Sequence, residues 1–159
     1  MEYRYRAASS LTSFTEEGLS RIYWDAMLFI YLVEDHPIFG PKVSHIYERM
    51  LERGDTLFTS SLTVGEALIG PVKGQDTALR DKIRAALYGD EVHLLPFLPG
   101  TAELYANIRA TFPVKSPDAI HLATAAEAKI DLFLTNDAQL HRLTIPGIAF
   151  IAGLDGTVF

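Results

Sequence analysis

No cysteine occurs among the 159 residues. Disulfides and thiolate metal centres are excluded, and the composition fits a cytosolic location. Long apolar runs are missing too: the longest candidate, Ile22–Val33, is too short to cross a bilayer. Residues 1–20 carry Arg4 and Arg6, then SSLTS, then Glu16-Glu17, without the apolar centre of a secretory signal. Positive charge is scarce. Fourteen Lys and Arg against twenty Asp and Glu leave a net charge of −6, which argues against non-specific coating of nucleic acid. It does not exclude an enzyme whose carboxylates are offset by bound cations at the place a phosphate approaches. Neither a repeat nor a low-complexity segment is present.

What is there reads as one globular domain, residues 21–153, with an extension at 1–20 and a tail at 154–159. Apolar runs expected as strands are Arg21–Asp25, Thr56–Ser61, Glu91–Phe97, Leu132–Thr135 and Ala149–Ala152. Helical patterns lie between them at Ala26–Glu34, Pro41–Arg53, Leu62–Ile69, within Pro71–Tyr88, at Thr101–Thr111 and from Asp118 onward. Strands alternating with helices predict an α/β fold, a mostly parallel sheet covered on both faces, whose working site lies beyond the carboxyl ends of the strands.

Four carboxylates are lone charges in apolar segments. Asp25 interrupts IYWDAMLFIYLV. Glu66 is the only charge between Asp55 and Lys73. Asp118 opens a helix, and Asp137 follows the strand before it by two residues. Each has an ordinary explanation: a helix N-cap for Asp25 and Asp137, an exposed helix position for Glu66, a favourable dipole contact for Asp118. Their joint placement at one sheet edge favours a single site. Oxygen ligands alone suit Mg²⁺ or Mn²⁺ rather than zinc. Thr135 and Asn136 are placed to hold a ligand carboxylate, or to serve the turn. His121 lies on the same side of its helix as Asp118 and reads first as a satisfied core histidine. The other histidines show no ligand spacing. Lys73, Arg80 and Arg84 read as a solvated helical face or as a basic rim for phosphates.

DAIHLATA (Asp118–Ala125) and DLFLTND (Asp131–Asp137) resemble the PIN-domain family of metal-dependent nucleases, and WDAMLFIYLVEDHP and SSLTVGEAL match it in character and order. The resemblance spans about Arg21–Ala152. It implies an α/β/α sandwich, with Asp25, Glu66, Asp118 and Asp137 as acidic metal-site residues and Thr135 and Asn136 as the polar positions before the last Asp. It implies Mg²⁺- or Mn²⁺-dependent cutting of RNA by water, leaving a 5′-phosphate and a 3′-hydroxyl. Small members resembling VapC toxins are commonly homodimers inhibited by an antitoxin. The sequence departs at Met27, where Asn or Ser is frequent, and in the length of its extension. A non-catalytic PIN-like module binding RNA or protein is the alternative. A phosphoacceptor module fits poorly, since the first strand offers one Asp and the last has no Lys beside it. A dinucleotide enzyme fits less well, because no glycine-rich turn follows the first strand.

Overall fold

A computed structural model describes residues 19–155; the expected extension, apart from Leu19 and Ser20, and the last four residues of the tail lie outside the described residues. The strands are β1 (Arg21–Trp24), β2 (Thr56–Ser60), β3 (Val92–Leu95), β4 (Leu132–Leu134) and β5 (Phe150–Ala152). The helices are α1 (Ala26–Val33), α2 (Phe39–Arg53), α3 (Ser61–Lys73), α4 (Thr77–Tyr88), α5 (Pro99–Thr111) and α6 (Ser116–Glu127). The sheet runs β3-β2-β1-β4-β5, and every pairing is parallel.

Strand side chains alternate between two cores. Ile22, Trp24, Leu57, Leu132 and Leu134 face one core, completed by α1, α2, α3 and α4. Tyr23, Phe58 and Phe133 face the other, completed by α5 and α6. Covering both faces is what lets the central strands be apolar at successive positions. Tyr23, Trp24 and Phe133 are fully buried, and each large apolar side chain so buried contributes about 1.5–3 kcal/mol. The three-layer sandwich expected from the sequence is therefore present. Among the described residues no helix is long and apolar enough to cross a membrane.

Prolines account for most boundary differences. Pro41 and Pro99 sit in the first turns of α2 and α5, where a missing N–H costs nothing, so both helices begin earlier than expected. Pro71 was expected to open a new segment. Instead α3 runs through it to Lys73, with Pro71 buried in the last turns. Pro96 lacks the donor needed to extend β3, which stops at Leu95. A 3₁₀ turn at Leu140–Arg142 was not anticipated.

β1 leads outward through β2 to β3 on one side, while β4 leads to β5 on the other. The strand order thus reverses between β1 and β4, and the crevice beyond their carboxyl ends is where such sheets place ligands.

Candidate active site

Asp25 stands one residue beyond β1. Its Oδ1 accepts from the Met27 N–H at 3.0 Å, capping α1. Its own N–H donates to the Leu134 carbonyl at 3.2 Å, fastening it across the β1–β4 crevice. Its Oδ2 accepts from the Thr135 hydroxyl. Burial pushes the Asp25 carboxyl up, while Thr135, His121 and the amides of Met27 and Leu28 act against that rise. The cap is therefore real, and it aims the carboxylate at the crevice.

Thr135, fully buried just past β4, also accepts from the Asp137 N–H at 3.1 Å. One hydroxyl thus joins two acidic positions. Asp137 is exposed, and its Oδ1 accepts from the Gln139 N–H at 2.9 Å, a local turn cap. His141 Nε2 donates to the Thr135 carbonyl at 2.9 Å. A Cβ on Gly153 would come within 2.6 Å of that imidazole, so the histidine occupies the space a glycine leaves. Asn136 turns its amide to the Tyr31 hydroxyl at 3.2 Å and holds no carboxylate here.

Asp118 lies in the first turn of α6. Burial, then Asp137 and Glu66, push its carboxyl up; His121 and Lys115 pull it down. Glu66, on α3, is not an open surface position: its side chain is 32% exposed and pairs with His121 Nε2. His121 Nδ1 is 2.6 Å from the Tyr23 hydroxyl. Tyr23 is stacked on Phe133 with ring centroids 4.9 Å apart. The histidine is buried and satisfied as expected, but its second partner is a candidate site carboxylate.

Asp137 and Glu66 are therefore each within electrostatic reach of Asp118, Asp25 and Asp137 share Thr135, and His121 acts on Asp25 and Asp118 while touching Glu66. Lys73 is exposed at the end of α3. Arg80 and Arg84 are partly buried on α4, and Arg80 Nε is 3.5 Å from Asp81. Among the described residues these three cations make no ion pair with the four carboxylates. The cation acting on Asp118 is Lys115, which the sequence reading passed over. Its place three residues before Asp118, across the helix start, is the signal that could have found it. Tyr23 was hidden because it reads as one more apolar strand residue.

The donors are oxygen, the chemistry a hard divalent cation prefers. Among the described residues no three of His, Cys, Asp and Glu are already gathered closely enough to enclose an ion. What the fold provides is a carboxyl, Asp118, whose repulsion by Asp137 and Glu66 is offset only in part by His121 and Lys115, and such oxygen donors fit a hard divalent cation by charge and type.

A family model described as the PIN domain matches residues 22–146, and the chain belongs to the PIN-domain family. Its fold is similar to those of solved toxin–antitoxin proteins. VapBC2 from Rickettsia felis, bound to a promoter DNA fragment, aligns with a TM-score of 0.67 at 17% identity, over 83% of this chain and 98% of that one. DNA-bound VapBC from Salmonella typhimurium aligns at 0.62 and 19%, over 86% and 99%. A toxin–antitoxin complex from Klebsiella pneumoniae aligns at 0.61 and 21%, over 80% and 94%. No curated protein matches the chain.

Proposed function

We propose that this protein is a metal-dependent endoribonuclease acting as the toxin of a toxin–antitoxin pair. The observation that carries the nuclease reading is that this PIN-domain chain ties Asp25 and Asp137 to one hydroxyl, that of Thr135, with Asp118 near enough to Asp137 and Glu66 to feel their charge. Mg²⁺ or Mn²⁺ held by Asp25, Glu66, Asp118 and Asp137 would offset that charge and supply the Lewis acidity for hydrolysis of a phosphodiester. The chain's own part is orientation. Thr135 fixes Asp25 through its hydroxyl and places the Asp137 backbone. Lys115, beside Asp118, carries charge of the sign that draws in a phosphate. Lys73, Arg80 and Arg84, on α3 and α4, would add a basic rim for the RNA backbone.

Support for an antitoxin partner comes from the similar structures, which include complexes of toxins with antitoxins. The homodimer belongs to the same proposal. The test is to incubate the purified protein with structured RNAs and Mn²⁺ and to map the new ends. Ends bearing a 5′-phosphate and a 3′-hydroxyl support the reading. A cyclic phosphate or a 5′-hydroxyl end would sink it, and RNA retained uncut would favour the binding-module alternative.

A further inference from the structure

Tyr23, His121 and Glu66 form an unbroken polar chain from the middle of the β1–α6 core to the candidate site. Tyr23 comes from β1, His121 from α6 and Glu66 from α3, so the chain joins the two helical layers across the end of the sheet. Tyr23 is wholly buried and His121 nearly so. A buried polar group that has one good partner on each side has little freedom to rotate.

The Glu66 end fixes one proton of the chain. Glu66, ionised, has only acceptors, so a hydrogen bond from His121 Nε2 requires the proton on Nε2. That proton is required whether or not Nδ1 carries one as well. Burial holds the Tyr23 proton on its oxygen, and the Ser60 and Thr59 side chains beside that oxygen offset the burial only in part. The Tyr23 hydroxyl, which can donate or accept, meets Nδ1 at 2.6 Å and holds the ring in either case. A ring without the Nε2 proton would aim a lone pair at a carboxylate.

We propose that His121, locked by Tyr23, is a positioning residue for Glu66: it occupies Oε1 and leaves Oε2 as the oxygen presented to the metal. This rests on the nuclease reading for the identity of the ligand. The His–carboxylate contact itself does not depend on that reading. Groups that orient a metal-ligating carboxylate affect affinity by roughly 10–100-fold when removed.

The test has a metal-free half and a metal half. In the EDTA-treated wild type, nitrogen–proton correlation NMR of the imidazole is expected to show a proton on Nε2, with a signal that moves in Glu66→Gln. For the second half, Mn²⁺ affinity is followed by fluorescence of Trp24, the only tryptophan, which adjoins Asp25. His121→Asn, whose amide reaches only the Nδ1 position, is expected to weaken Mn²⁺ binding by about tenfold. His121→Gln, whose amide nitrogen reaches the Nε2 position, is expected to restore most of it. Tyr23→Phe, which keeps the volume, is expected to lose less than His121→Asn. In a Glu66→Gln background the His121→Asn effect is expected to vanish. Thermal melts of each variant in EDTA separate loss of fold from loss of positioning.

An Nε2 without a proton in the wild type overturns the proposal, whatever the metal does. So does wild-type Mn²⁺ affinity in a folded His121→Asn, or equal losses in His121→Asn and His121→Gln. A wild type with a proton on Nε2 but no affinity for Mn²⁺ would overturn the nuclease reading while the Tyr23–His121–Glu66 chain stood.

Discussion

Thr135→Val removes one hydroxyl that serves two acidic positions and leaves the side-chain volume nearly unchanged. The hydroxyl donates to Asp25 Oδ2 and accepts from the Asp137 N–H. A hydrogen bond to an ionised group contributes about 1.5–3 kcal/mol. The N–H of Asp137 lies at an exposed residue, so water replaces most of its loss. A total cost of about 2 kcal/mol follows, a fall in Tm of roughly 4–8 °C for a chain of this size. The pH dependence has a definite sign. The Asp25 carboxyl in the fold sits above its ordinary value because burial outweighs its hydrogen bonds. Its net contribution to stability is thus fullest below the unfolded value and is lost as pH rises through the folded one. Removing Thr135's hydrogen bond raises the folded value further, so the cost of the substitution is largest at neutral pH and shrinks in acid. Urea unfolding in EDTA over a pH series reads both effects. A cost under about 0.5 kcal/mol at pH 7, or one that does not change with pH, would show that the hydroxyl does not hold the Asp25 carboxylate. Thr135→Ser is expected to recover most of the loss.

Asp118→Asn is expected to raise the stability of the metal-free protein by on the order of 0.5 kcal/mol, since it removes charge repulsion at a partly exposed group. The same variant is expected to lose the gain in Tm that Mn²⁺ gives the wild type, measured by melting with the ion and with EDTA. Arg80→Ala is expected to weaken RNA cleavage while sparing Mn²⁺ binding; unchanged cleavage efficiency removes the basic-rim idea. Gly147 has φ of 98°, and a Cβ there would lie 2.6 Å from the Ala126 carbonyl oxygen. Gly147→Ala is therefore expected to lower stability by at least about 1–3 kcal/mol in denaturant unfolding, through backbone strain and collision with α6.

The sheet was legible because its strands are apolar at successive positions and are separated by helical periods, a pattern that few folds besides a covered parallel sheet accommodate. Helix starts were less legible. At Pro41 a proline that could open a helix lies two residues inside it, at Pro99 a proline outside the expected helix opens it, and at Pro71 the core contact that tolerates it is tertiary. The acidic positions could be picked out because each is a lone charge among apolar neighbours. Their connections could not. Nothing in the spacing of Tyr23, Glu66 and His121, which lie on three separate elements, says that they meet. Thr135 and Asn136 look alike beside Asp137, yet the backbone turn sends the first toward Asp25 and the second toward Tyr31.

The most direct measurement is single-turnover cleavage of a mixed pool of structured RNAs by wild type and by Asp118→Asn, each with Mn²⁺ and with EDTA. Cutting by the wild type with Mn²⁺ alone is expected, and its loss in a variant that remains folded. Cutting that survives EDTA, or that Asp118→Asn leaves intact, would contradict the claim that these four carboxylates form one metal-dependent site.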